Sequence, residues 1–184
     1  CYSKAKEKLD SGKMVLFTGT PCQIAGLYAF LGNKEYDKLY TVDLICHGVP
    51  SPLLFKKYLA YQEDKLKEKI VSFDFRSKEK RGWATQYLLK TQNKSKSRAL
   101  KLDRYGKHFM DGDCYRESCY TCPYSDIKRV SDITVGDFWG IDKSHPEFSS
   151  ALGVSSVLVN TKKGQILSDS ISKYADITKA TVKE

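Results

Sequence analysis

Residues Lys13–Gly19 (KMVLFTG) form an apolar run of strand length closed by glycine, and Thr20-Pro21 supplies a helix N-cap and a first-turn proline immediately after it. Ile24, Leu27, Tyr28 and Leu31 then recur at helical spacing until Gly32 ends the element. A second apolar run, Leu39–Cys46, completes a strand–helix–strand unit. Consecutive strands joined in this way lie parallel, with both C-terminal ends at the same edge of the sheet. This constraint sets the architecture that the rest of the chain has to complete.

Around this unit, Ser3–Asp10 reads as a helix, and Ser51-Pro52 caps another with Phe55, Leu59 and Leu66 on one face. Extended stretches follow at Ile70–Arg76, Gln86–Lys90 and Ala99–Arg104. Residues 106–131 read as irregular loop and short helix. Asp132–Phe138 and Ser155–Asn160 return as strands, and Gly164–Tyr174 closes as a helix. The pattern predicts an α/β fold: a mixed, largely parallel sheet flanked by helices, with an irregular cysteine-bearing loop, in a single domain over residues 1–184. The chain opens at Cys1, already inside helix pattern, so the gene product is expected to extend further toward its N-terminus.

Apolar and charged fractions of 41% and 29% are those of a soluble globular protein. No apolar run reaches the roughly 20 residues of a membrane span, and no signal-peptide pattern opens the chain, which points to the cytoplasm. Net charge is +9, and the excess cations gather in Lys65–Arg81 and Lys94–Arg104. Aromatic residues do not interleave with these lysines as base-stacking platforms would, so the runs read as solvated faces or protein-contact surface rather than nucleic-acid sites.

The six cysteines are Cys1, Cys22, Cys46, Cys114, Cys119 and Cys122. A cytosolic chain of this length needs no disulfide staples, and three cysteines crowded into nine residues point to metal. Cys119-Tyr-Thr-Cys122 is the strongest local signal: two thiolates with two residues between them can bind one metal ion or cluster, and Pro123 follows directly. Cys22 lies at the second position of a helix, where backbone amides favour a thiolate, and Cys46 ends the second strand at the same sheet edge. Spacing leaves a rival open, because Cys114, Cys119 and Cys122 also fit a plant-type ferredoxin run. His47, beside Cys46, is the histidine nearest this chemistry; none of the three histidines sits in a hydrolase pattern.

Two glycine-containing segments are candidates for holding a cofactor. Thr18, Gly19, Thr20 and Gln23 surround a strand-to-helix junction whose amides can face phosphate or the polar edge of a flavin, although a plain βα turn has the same pattern. Gly136, Asp137 and Trp139 lie in GDFWG, where glycine permits close backbone approach and Trp139 offers a flat face; a core aromatic pair is the ordinary alternative.

The segments VLFTGTPCQIAGL (Val15–Leu27), DLICHGVPSP (Asp43–Pro52), Ser118–Cys122, DITVGDFWG (Asp132–Gly140) and SVLVNTKKG (Ser156–Gly164) together resemble the beta-subunit family of coenzyme F420-reducing hydrogenase and dehydrogenase. The resemblance implies an oxidoreductase: an iron–sulfur flavoprotein that relays electrons between a [4Fe-4S] cluster, FAD and a soluble carrier, F420 or another. It implies Cys22, Cys46, Cys119 and Cys122 as cluster ligands and gives Cys114 and Cys1 no role. The implied partners are a redox protein or ferredoxin-like domain and a small-molecule electron carrier. The rival readings are a zinc-binding structural module with a basic surface, and a scaffold that has lost its cofactors.

Overall fold

The computed structural model describes residues 1–79 and 82–181. Lys80 and Arg81, at the end of the basic run 65–81, lie outside the described residues. In chain order the first elements are α1 (Tyr2–Asp10), β1 (Val15–Gly19), α2 (Pro21–Phe30), β2 (Leu39–Leu44) and α3 (Pro52–Leu66). Then come β3 (Ile70–Asp74), β4 (Gln86–Thr91), β5 (Ser95–Ala99), α4 (Arg104–Asp111) and α5 (Glu117–Tyr120). The last are β6 (Ile133–Asp137), α6 (Ile141–Ser144), β7 (Ser155–Val159) and α7 (Lys162–Ile171). Among these helices none is long and apolar enough to cross a membrane.

Two compact units emerge. The first comprises residues 1–46, 123–149 and 154–184, and the second residues 47–122 and 150–153. The first unit is built on a four-stranded sheet in the order β1-β2-β6-β7. β1, β2 and β6 run parallel and β7 pairs antiparallel with β6, which is the mixed, largely parallel sheet the sequence predicts. β1 connects to β2 through α2, the short crossover that parallel neighbours need. β2 connects to its other parallel neighbour, β6, through residues 47–122 of the second unit.

The apolar positions of α1 and α2 explain why the first unit closes. Ala5, Leu9, Leu27, Leu31 and Leu39 are buried together, with Tyr2, Val15, Phe17 and Tyr28 packed against them. Deeper in the sheet, Asp132 is buried and its carboxylate takes three hydrogen bonds. The Thr41 amide (2.8 Å) and hydroxyl (3.0 Å) donate to one oxygen and the Thr161 hydroxyl (2.6 Å) to the other. A buried carboxylate satisfied this fully joins β2, the start of β6 and the N-cap of α7. Gly164 lets α7 approach this point, because a Cβ there would collide with the Asp132 carbonyl. Gly164→Ala is therefore expected to destabilise the protein by about 2 to 3 kcal/mol in a urea unfolding curve, since backbone cannot step aside as a side chain can.

The second unit holds an antiparallel sheet in the order β3-β4-β5. β4 is central and nearly continuous in its burial, with Tyr87 and Leu89 fully buried beside Leu100. An aromatic cluster of Phe55, Tyr58, Phe73, Phe75, Tyr87 and Tyr105 fills its face, with the Phe73 and Tyr87 rings stacked at 5.1 Å. One expected strand moves. The stretch Ala99–Arg104 is not extended: β5 ends at Ala99, Leu100–Leu102 form a 3-10 turn, and α4 begins at Arg104. Asp103 is the reason, since its carboxylate accepts from the Tyr105 and Gly106 amides at 3.0 and 3.2 Å and starts a helix there. The strand itself is the polar segment SKSRA, whose alternation carries too few apolar residues to be seen locally.

Candidate functional site

The parallel register assembles the first half of the candidate site within the first unit. Gly19 pairs with Asp43 and Leu44 with Val135, so β1, β2 and β6 all end at one edge. The Thr18–Gln23 junction and the Gly136–Gly140 segment therefore stand on either side of the end of β2, which leads to Cys46. At one strand spacing per step the two loops are roughly 10 Å apart. Cys22 and Cys46 are both free and exposed at this edge.

The junction itself is a tight cap. The Gln23 Oε1 accepts from the Thr20 amide at 2.9 Å, while the Gln23 and Ile24 amides donate to the Thr20 carbonyl at 2.9 and 3.0 Å. Pro21 has no amide hydrogen, which leaves the Cys22 amide as the first-turn donor without an acceptor among the described residues. The Thr20 hydroxyl lies 3.1 Å from the Cys22 sulfur. Gly19 approaches the cap closely: a Cβ there would come within 2.9 Å of Gln23 Oε1 and 3.2 Å of its Cβ. Gly136 approaches Ile45 in the same way, and the Ile45 Cδ1 would lie 2.7 Å from an added Cβ. Both glycines thus answer close approaches inside the chain. Trp139, by contrast, is 60% exposed beside Gly140, whose φ of +87° starts α6.

Sequence reasoning missed Arg129 and Asp43. Asp43 is buried at the end of β2, and Arg129 pairs with it at 3.2 Å, the two side chains being 0% and 8% exposed. The same guanidinium donates to the carbonyls of Leu44, Tyr124 and Asp126 (each 3.1 Å) and to the Thr134 hydroxyl at 3.2 Å. One planar fork thereby holds the segment following Pro123 to the end of β2 and the start of β6. The signal available in the sequence was Asp43 itself, an acid inside the apolar strand LYTVDL, which demands a buried partner.

Cys119 and Cys122 belong to the second unit. Cys119 sits on the one-turn α5, its amide bonded to the Arg116 carbonyl at 2.8 Å, and Cys122 follows in the turn after it. The segment His47–Pro50 supports this loop from below. The Arg116 amide donates to the Val49 carbonyl at 2.9 Å, Pro50 bridges to Tyr115, and a Cβ on Gly48 would strike the Tyr115 ring. His47 makes edge-to-face contacts with Phe109 (5.2 Å) and Tyr115 (5.6 Å), an aromatic packing role. Burial and the neighbouring Asp113 carboxylate push the Cys114 thiol up, away from the thiolate form that metals bind.

The candidate ligands therefore fall into two pairs. Cys22 and Cys46 lie on the sheet edge of the first unit, Cys119 on the helical turn of the second and Cys122 two residues beyond that turn. Cys46 and Cys122 are also the residues after which the chain passes from one unit to the other. All six cysteines are free thiols. As a donor set the four fit an iron–sulfur cluster or a zinc ion, both of which take thiolate ligands. Among the described residues no group of three or more His, Cys, Asp or Glu side chains could by itself hold a metal ion.

Known proteins place this chain. A solved structure of the F420-reducing [NiFe] hydrogenase complex from Methanosarcina barkeri, derivatised with xenon, contains a chain of similar fold. The TM-score is 0.52 at 19% identity, covering 93% of the present chain and 53% of that one. The chain thus spans about half the length of the protein it resembles. Among curated proteins none matches it. Residues 12–184 match the family described as the C terminus of the beta subunit of coenzyme F420 hydrogenase/dehydrogenase, and the chain belongs to that family.

Proposed function

We propose that the chain is the redox region of an oxidoreductase subunit, an iron–sulfur flavoprotein that relays electrons between a [4Fe-4S] cluster, FAD and a soluble carrier such as coenzyme F420. Family membership supports the oxidoreductase context, and the hydrogenase complex with the similar fold supports work beside a redox partner protein. The observation that carries the cluster is the set of four free thiols, two at a parallel-sheet edge, one on the one-turn α5 and one just after it. Cys22, Cys46, Cys119 and Cys122 are its ligands in this reading. When bound, the cluster supplies one-electron transfer, and the flavin supplies the exchange between one-electron and hydride chemistry.

The chain's own residues prepare for both groups. The Thr20 hydroxyl stands 3.1 Å from the Cys22 sulfur, at the start of α2. Thr18, Thr20, Gln23 and the Gly136–Trp139 segment flank the end of β2, and the exposed indole of Trp139 offers a flat apolar face for the flavin ring. Asp137 is half-buried at the same strand end.

Protein prepared without oxygen is expected to contain iron and acid-labile sulfide and to be brown. Titration with FAD should quench flavin fluorescence, and Trp139→Ala should weaken that binding roughly tenfold. Colourless protein with stoichiometric zinc would replace this reading with a structural zinc module. Protein that takes up no metal even after anaerobic reconstitution would mark a scaffold without cofactors.

A further inference from the structure

The two basic runs of the sequence meet in one place in the second unit. Lys65 near the end of α3, Lys96 and Arg98 on β5, and Arg104 at the start of α4 line a pocket of about 270 Å³, together with Tyr61 and Gln62. Neighbouring lysines are neutralised: Lys67 pairs with Asp64 at 2.9 Å, Lys69 with Glu63 at 2.8 Å and Lys94 with Glu68 at 3.0 Å. The four pocket cations have no carboxylate partner among the described residues. Lys96 donates to the neutral Gln62 Oε1 at 3.1 Å, and the Lys65 ammonium and Arg104 guanidinium lie over the Tyr61 ring at 4.9 and 5.7 Å. Asp103 is the one acid in the lining, and its carboxylate caps α4. The neighbouring Lys65, with the Arg104 and Lys96 charges, holds the Tyr61 phenol below its ordinary range, a sign of the local positive potential.

Four cations against the single Asp103 carboxylate leave the lining net positive, and a bound anion relieves the remaining repulsion. The concavity decides what kind of anion. A pocket of this size lies at the lower end of small-ligand sites, whereas a protein partner needs a contact face of roughly 800 Å². The geometry points to a binding site for a small-molecule polyanion carrying two or more phosphate or carboxylate groups. Arg98 and Arg104 supply planar forks that match either group, and the lysines supply point charges. None of the residues lining this pocket takes part in the proposed redox function, and the site does not depend on it.

Calorimetric titration with inorganic pyrophosphate and with citrate, at low and at physiological ionic strength, tests it. Saturable one-to-one binding of at least one probe is expected, weakening as salt rises. Lys96→Gln and Arg98→Gln should each weaken it roughly tenfold, and the double variant should abolish it, with circular dichroism unchanged. The control variant Lys67→Gln/Lys69→Gln should bind as the parent does. Equal loss in that control would reduce the effect to general charge and overturn the site. So would failure of both probes to bind at physiological salt while an acidic polypeptide binds, which would make the surface a protein contact.

Discussion

Replacing Cys22, Cys46, Cys119 or Cys122 by Ser, one at a time, is expected to abolish cluster incorporation or reduce iron content severalfold, while Cys114→Ser and Cys1→Ser leave it near the parent value. A serine hydroxyl is a hard, weakly acidic donor in place of a soft thiolate, so a four-thiolate site loses a ligand it cannot replace. Burial and Asp113 push the Cys114 thiol up, which disfavours its thiolate form. Iron and sulfide analysis with the visible spectrum of each anaerobically reconstituted variant measures the effect. Loss of iron in Cys114→Ser, with Cys46→Ser harmless, would transfer the site to the plant-type spacing. Circular dichroism separates loss of ligand from loss of fold, and the exposed positions of Cys22 and Cys46 favour an intact fold in those two variants.

Arg129→Met is expected to cost about 3 to 5 kcal/mol of stability, because it leaves the Asp43 carboxylate buried with no counter-charge. It also removes the donors to the Leu44, Tyr124 and Asp126 carbonyls, so the segment after Pro123 loses its anchor on β2. Arg129→Lys should recover only part of the loss, since one ammonium cannot reach acceptors that a guanidinium fork spans. The double variant Asp43→Asn/Arg129→Met should be more stable than Arg129→Met alone, as no unpaired charge remains. Urea unfolding of the parent, Asp43→Asn, Arg129→Met and the double variant provides the cycle. A cost below about 1 kcal/mol for Arg129→Met would show the pair to be solvated and would remove its anchoring role.

Much of this protein was legible in its residues because the relevant physics is local. The run KMVLFTG followed by Thr-Pro encodes a buried strand turning into a capped helix, and β1 and α2 lie where that pattern places them. The same local reading put Cys22 at the second helical position and Cys119 and Cys122 in a stretch of irregular loop and short helix. Parallel pairing of β1 with β2 followed from their connection through one helix.

Long-range choices were decided only in the tertiary structure. That β2 takes β6 as its second parallel neighbour, across the insertion of residues 47–122, cannot be read from the period of either strand, because alternation reports burial and not the identity of the partner. β5 was hidden for a related reason: SKSRA is polar, and only pairing with β4 makes it a strand. Gly19 and Gly136 also face neighbours that an added Cβ would meet, Gln23 in one case and Ile45 in the other, and their local sequence does not announce those neighbours. Asp43 announced a buried charge, but its partner lies 86 residues further along the chain. Two stretches of lysine and arginine that read as solvated faces converge, in part, on one pocket, because α3 and β5 pack on the same unit. Composition and periodicity specify the elements and their buried faces; which distant residues meet is set by the packing of those faces, a property of the whole chain.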